Sequence, residues 1–299
     1  MTDTSERIGF IGVGLMGHGM AKNIIDGGYG LTILGNRNRT PVDDLVSRGA
    51  TEAKNPAEVG AASDIVFLCL PGSPQIEATI RGENGLRAGL QEGSVVVDCS
   101  TADPTSTTAL AAELAQDGIT LVDAPLSRTP KEAWEGTLDT MIGAPEAVLD
   151  RIRPVVDCWA GKIVHIGDVG DGHRMKLLNN FISLGYAAIY SEALALSEKV
   201  GISAERFHNV IGGGRMDCGF YQTFMECVVG GNREAHKFTL TNALKDLRYL
   251  ESMADNAGLV NPLGNASKNS FAAAVAGGAN GPEDYVPHLA GHVAKQNGL

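Results

Sequence analysis

Positive charge is scarce in this chain. Its 24 lysines and arginines face 35 aspartates and glutamates, a formal net charge of −11 over 299 residues. Nucleic acid or an anionic membrane as the main partner calls for the opposite balance, so neither is expected. An anionic substrate must instead meet positive charge gathered locally. Long apolar runs are also missing. No stretch approaches the roughly 20 residues of a membrane span, and the opening MTDTSER has no apolar core of a signal peptide. Cysteine is sparse: Cys69, Cys99, Cys158, Cys218 and Cys227 are odd in number and form no CxxC pair. That argues against a disulfide scaffold and fits a reducing cytoplasm, with Cys69 and Cys99 as small core residues of strands. The seven histidines show no ligand spacing, and no metal is expected.

What the chain does contain is β-α alternation. RIGFIGVGL at 7–15 is an apolar run ending in glycines, followed by a helix through Met20, Ala21, Ile24 and Ile25 that stops at Gly27-Gly28. LTIL at 31–34, DIVFLCL at 64–70, SVVVDCS at 94–100 and ITLVDAP at 119–125 are continuous apolar runs bounded by turn residues. Strands covered on both faces read this way. Helices are expected near 41–49, 104–116 and 146–156, with further strands at 140–144 and 162–167. The pattern predicts an α/β, Rossmann-type, doubly wound parallel sheet. After Gly170 the strand-like runs stop and helical patterns lengthen, near 173–200, 204–211, 220–229, 241–256 and 262–276. The expected domains are therefore 1–168, binding a dinucleotide, and 169–299, all-helical, carrying substrate and subunit contacts.

Gly12-Val13-Gly14-Leu15-Met16-Gly17 follows the first strand and opens a helix. The first glycine permits the tight turn, the second lets backbone approach a pyrophosphate, and the third allows close helix-strand packing. A structural glycine turn is the plain alternative; the position in a βαβ series favours the dinucleotide. The second strand of an NAD site normally ends in an acid that accepts from the ribose hydroxyls. Here the stretch is Gly35-Asn36-Arg37-Asn38-Arg39-Thr40, with no acid and two arginines that could hold a 2′-phosphate. NADP is the expected cofactor, with NAD also accepted; the alternative is a solvated basic loop. Ligands bind at the carboxyl ends of parallel strands, where this chain carries Leu70-Pro71, Ser100-Thr101 and Ser127-Arg128-Thr129. An arginine flanked by hydroxyls suits a carboxylate, sulfonate or phosphate.

The stretch from Gly170 to Val200 predicts one helix, from about His173 to Val200, roughly 40 Å long, with Asp171 as its N-terminal cap. Its first half is apolar nearly all round, as buried helices are. Lys176 and Asn180 interrupt it, four residues apart and so on one face. Lys176 either snorkels to water or, desolvated, serves proton transfer. Lys245-Asp246 in NALKDLRYL reads by default as a surface ion pair.

Together the strand-linked GxGxxG, the DAPxS stretch with a downstream GTL, the GxGxxxKxxNN segment and the KDL helix resemble the β-hydroxyacid dehydrogenase family. Its members include 3-hydroxyisobutyrate dehydrogenase and tartronate semialdehyde reductase. The resemblance spans nearly the whole chain and implies a Rossmann-type domain followed by a helical domain built on the long helix, in a homodimer or homotetramer. It implies that Lys176 is the catalytic lysine and Asn180 the substrate-binding asparagine. Leu70, Pro71 and Thr101 match positions lining the nicotinamide, Gln75 another cofactor position, and Lys245 a lysine that closes over cofactor and substrate. Where most of the family has Ser-Gly-Gly to hold a carboxylate, this chain has Ser127-Arg128-Thr129. That loop is similar to the Gly-Arg-Thr of sulfolactaldehyde reductases. The implied reaction is hydride transfer between a nicotinamide and a small β-hydroxy acid or its semialdehyde. A sulfonate and a carboxylate substrate are both open, and a non-catalytic NADP-binding protein is the rival from another class. Imine reductases share the architecture but usually replace the lysine.

Overall fold

The computed structural model describes residues 6–299; most of MTDTSER lies outside the described residues. The chain divides into two compact units, one ending at Lys176 and one beginning at Leu177.

The first unit runs β1 (Ile8–Ile11), α1 (Gly17–Asp26), β2 (Leu31–Leu34), α2 (Thr40–Ser47), β3 (Thr51–Ala53), α3 (Pro56–Ala61) and β4 (Ile65–Leu68). It continues with α4 (Ser73–Arg81), α5 (Leu86–Gly89), β5 (Val95–Asp98), α6 (Pro104–Ala115), β6 (Thr120–Asp123) and β7 (Leu126–Ser127). Then come α7 (Pro130–Glu135), β8 (Leu138–Gly143), α8 (Glu146–Val156), β9 (Ala160–Gly167) and the start of α9 (Asp171–Lys199). The sheet order is β3-β2-β1-β4-β5-β6-β8-β7, with β9 beside β8. From β3 to β6 all pairs are parallel; β8 lies antiparallel to β6 and β7. The sheet is the expected doubly wound, parallel-dominated one; its antiparallel pairing is confined to one edge, where α7 returns the chain so that β8 pairs back on β7.

The continuous apolar strands are explained by two cores. Phe10, Ile33, Phe67 and Val97 enter one cluster, while Ile11, Val66, Leu68 and Val96 enter another. Successive side chains point to opposite faces of a strand, and both faces here are covered by helices. Cys99 follows β5 and is only 2% exposed, with burial pushing its thiol well above the ordinary range.

The second unit holds most of α9 and then α10 (Ala204–Ile211), α11 (Gly219–Val228), α12 (Leu240–Asn256), α13 (Pro262–Ala276), a 3-10 turn at Val286–His288 and α14 (Leu289–Gln296). Its core joins Leu177 and Leu184 of α9 to Phe224, Leu244, Phe271 and Leu289. The long helix is not buried all round within the chain. Leu178, Ile182, Tyr186, Ile189 and Leu196 remain exposed along one side. Its expected cap also differs. Asp171 lies in the first turn, where its carboxylate accepts from Asp168 N and pairs with Arg174. The buried Asp123 at the end of β6 instead accepts from Gly170 N (2.6 Å) and His173 N (2.7 Å). A carboxylate at a helix N-terminus satisfies orphan N–H groups and complements the helix dipole.

Candidate active site

The glycine turn between β1 and α1 fits a dinucleotide on its own geometry. Gly12 sits at φ +103°, and a Cβ there would meet the Cys69 carbonyl at 2.2 Å. A Cβ on Gly17 would come within 2.1 Å of Gly12 O. Gly14 has nothing within 4 Å of such an atom, so the turn is open on the side a pyrophosphate would approach. α1 begins without a side-chain cap from Met16, and the N–H of its first residue, Gly17, meets the Cys69 sulfur.

At the end of β2, the two arginines differ. Arg37 is exposed, its N–H donating to Asn36 Oδ1. Arg39 is engaged: Nη1 and Nη2 donate to Glu52 of β3 at 2.6 and 2.9 Å, and Nη2 also to Asp43 at 3.0 Å. Two free guanidiniums awaiting a phosphate are therefore not what this strand end presents. Leu34, Gly35, Asn36, Arg39, Glu52, Ala53 and Lys54 line a cavity of about 480 Å³ there.

The ends of β4 and β5 are tied together. Leu70 N donates to Ser100 Oγ at 2.9 Å, and the Ser100 carbonyl accepts from His173 Nε2 at 3.0 Å. His173 is fully buried, and its Nδ1 lies 2.8 Å from Thr107 Oγ1. A carbonyl can only accept, so Nε2 donates to Ser100, while the Thr107 hydroxyl facing Nδ1 also donates to the Asp103 carbonyl at 3.1 Å. Asp98 and Asp123 stand 3.9 Å from the same ring. Burial raises the Asp123 carboxyl above the usual range, opposed by the ring and by its two N–H donors. Sequence reading passed over this knot; an Asp at the end of each of two adjacent strands was the available signal. Pro71 and Gln75 are exposed beside it, and Thr101 is half-buried.

The loop after β6 departs from expectation at one residue. Thr129 caps α7: its Oγ1 and N donate to Glu132 Oε2 at 2.5 and 3.0 Å, and Oγ1 accepts from Lys131 N. Its hydroxyl proton is thus committed within the loop and does not stand ready for an anion. Those same hydrogen bonds hold the Glu132 carboxyl below its usual range. Arg128 takes φ +84°, the left-handed region that favours glycine. Its Nε lies 3.0 Å from Asp139 Oδ1, at ion-pair distance but outside hydrogen-bond geometry. Ser127 pairs with Asp139 across β7 and β8.

Lys176 is half-buried on α9, and Asn180 follows one turn later, 5% exposed. Asn180 Nδ2 donates to Asp246 Oδ2 of α12 at 2.7 Å. Because a carboxylate only accepts, this bond fixes which end of the amide faces α12. Asp246 is itself buried, with Lys245 Nζ 3.2 Å from its Oδ1. The surface ion pair expected at Lys245-Asp246 is therefore corrected. Asp246 shares the buried face of α12 with Ala243, Leu247 and Leu250, and an acid at that helical spacing was the missed signal.

Residues 7–167 match the family model described as the NAD binding domain of 6-phosphogluconate dehydrogenase. Residues 170–287 match that described as NAD-binding of NADP-dependent 3-hydroxyisobutyrate dehydrogenase. The chain belongs to the β-hydroxyacid dehydrogenase family. Among its relatives in that family, 3-sulfolactaldehyde reductase of Escherichia coli (strain K12) is 31% identical over 278 residues, 93% of each chain. The 2-(hydroxymethyl)glutarate dehydrogenase of Eubacterium barkeri is 38% identical over 213 residues, 70% of this chain and 69% of its own. The structure of Mycobacterium tuberculosis 3-hydroxyisobutyrate dehydrogenase with L-serine superposes with a TM-score of 0.82 at 27% identity, covering 95% of this chain and 98% of that one. As a β-hydroxyacid dehydrogenase, the chain is an oxidoreductase that acts on CH–OH with a nicotinamide cofactor. Among the described residues, no helix is long and apolar enough to cross a membrane.

Proposed function

We propose that this β-hydroxyacid dehydrogenase interconverts a small anionic β-hydroxy acid and its semialdehyde, with Lys176 as general acid/base and 3-sulfolactaldehyde as the substrate to which Arg128 points. The observation that carries this reading is Arg128, a guanidinium held in a glycine's conformation within the loop where the family otherwise binds a carboxylate. The nicotinamide, when bound, supplies or accepts the hydride. In reduction Lys176 Nζ gives a proton to the carbonyl oxygen; in oxidation the neutral amine takes it from the hydroxyl. Asn180, oriented by Asp246, hydrogen-bonds the reacting substrate. Arg128 and Ser127 hold its acidic group and so fix the carbon that reacts. A carboxylate semialdehyde is the second reading. It rests on the guanidinium fork of Arg128, which serves a carboxylate as well as a sulfonate.

NADP is the preferred cofactor in this proposal, met by Arg37 and, after displacement from Glu52, by Arg39. The exposed side of α9 is covered by a second copy of the chain, and the enzyme works in the cytoplasm. Replacing Leu178 and Ile182 with aspartate halves or quarters the mass measured by light scattering; an unchanged mass refutes that interface.

The deciding assay follows NADPH and NADH absorbance with sulfolactaldehyde and with tartronate, methylmalonate and succinate semialdehydes. Dominant kcat/KM for the sulfonate supports the first reading, and dominance of a carboxylate supports the second. Lys176→Ala lowers turnover about 10²–10⁴-fold. Near-normal turnover by the folded variant refutes the assignment of Lys176, and silence with every aldehyde points first to an untested substrate and next to a non-catalytic NADP-binding protein.

A further inference from the structure

The end of β2 carries Gly35 where an NAD site ordinarily places an acid, yet the place is not empty of charge. An ideal Cβ on Gly35 would lie 2.0 Å from Glu52 Oε1 and 2.8 Å from Arg39 Nη1. A carboxylate from the neighbouring strand therefore fills the volume that a side chain at residue 35 would use. The sheet puts it there. β3 runs parallel beside β2 with Glu52 paired to Ile33 and Ala53 to Leu34, so Glu52 emerges at the strand end that also holds Gly35 and Asn36. Both oxygens of Glu52 engage the Arg39 fork, and the cavity lined by Leu34, Gly35, Asn36 and Lys54 opens onto the same pair.

We propose that Glu52 is a specificity-determining residue for the cofactor. Its carboxylate supplies the acceptor for adenosine ribose hydroxyls that β2 lacks and, by holding Arg39, withholds one guanidinium from a 2′-phosphate. The inference rests on the dinucleotide reading of this strand end. A phosphate ester carries roughly −1.5 to −2 charges, so beside Glu52 it meets like charge and a competitor for the same fork. Arg39 holds the Glu52 carboxyl below its usual range, so it is anionic at neutral pH. The pair is exposed, and exposed pairs are individually weak. The phosphate therefore competes with Glu52 on comparable terms and is not simply excluded. Asp43 binds only Nη2 of Arg39 and leaves Nη1 available once Glu52 is neutral.

The test uses the full chain and two probes of this end alone, 2′,5′-ADP and 5′-AMP, titrated calorimetrically alongside NADPH and NADH. Glu52→Gln, nearly isosteric on an edge strand, raises the affinity ratio of 2′,5′-ADP over 5′-AMP about five- to tenfold, a gain that shrinks with added salt. In an Arg39→Ala background most of that gain disappears, because the two residues act on one fork. A ratio unchanged within twofold, or equal weakening of both probes, overturns the proposal. The full gain persisting without Arg39 overturns its clamping role. Wild-type protein that binds NADH more tightly than NADPH refutes the NADP preference alone, since the shift on Glu52→Gln is still read. Failure of all four nucleotides to bind refutes the inference and the cofactor reading together.

Discussion

Replacing Asp246 with asparagine separates catalytic orientation from stability. In the wild type a buried carboxylate accepts from Asn180 Nδ2 at 2.7 Å, and its acceptor-only chemistry leaves the amide one orientation. In Asp246→Asn the new side chain offers both an oxygen and an NH₂ toward α9, so either end of the Asn180 amide finds a partner. A hydrogen bond to a charged group is worth about 1.5–3 kcal/mol and a neutral one about 1 kcal/mol, so the bond itself weakens by about 1 kcal/mol. Loss of the ion pair with Lys245 adds to that cost; against this sum stands relief of the desolvation of a buried charge, which is of the same order or larger. The two oppose, and Tm is expected to stay within about 4 °C of wild type. Catalysis has no such compensation, because an amide that turns over presents the wrong atom to the substrate. With the aldehyde that gives the highest wild-type turnover, kcat/KM is expected to fall about tenfold, one such bond's worth. Steady-state kinetics and a thermal melt on the same preparation read both quantities. Wild-type kcat/KM with an intact fold would refute the orienting role of Asp246, whereas a large drop in Tm would mean that the pair is chiefly structural.

Arg128→Gly relieves a left-handed backbone that costs an L-residue roughly 1–2 kcal/mol, against about 0.5–1 kcal/mol for the greater unfolded freedom of glycine. Tm should hold or rise slightly while KM for the anionic aldehyde climbs at least tenfold; a marked fall in Tm would show that the contact with Asp139 outweighs the strain. Glu132 has a depressed carboxyl, so its contribution is complete above the unfolded value near 4.5 and is lost as pH falls through the lower folded value. Glu132→Gln should melt earlier than wild type at pH 7, with the difference closing on acidification below pH 4; an equal gap at both pH values would contradict this.

β1, β4 and β5 were legible because burial on both faces leaves unbroken apolar runs, and LTIL coincides with β2 residue for residue. The helices Glu146–Val156, Ala204–Ile211 and Pro262–Ala276 were equally plain, each with at least one end marked by proline or glycine: Pro145, Gly212, and Pro262 with Gly277. β3 was not legible. Three residues, two of them exposed, carry no periodicity, and Glu52 was lost with it. For Arg39 the sequence showed the charge but not the carboxylate 13 residues on that engages it. Asp246 was masked by the lysine beside it, since sequence adjacency suggests an exposed pair, whereas the pair that forms has its acid buried on the core face of α12. An all-round apolar helix, likewise, does not disclose which side its own chain covers and which it leaves exposed on α9.

The burial of Cys99 has an experimental use unrelated to catalysis. Its thiol sits one residue beyond β5, inside the sheet's core cluster and protonated at neutral pH, whereas Cys218 is exposed at the start of α11. An alkylating reagent needs access to the sulfur, so Cys218 can be reached in the folded chain and Cys99 only when the nucleotide-binding unit opens. The slow labelling phase of Cys99, shared with Cys69, whose thiol burial pushes up to about 12, is thus a clock for opening of that unit, built into the native sequence. Any ligand that binds the closed unit slows it in proportion to its occupancy.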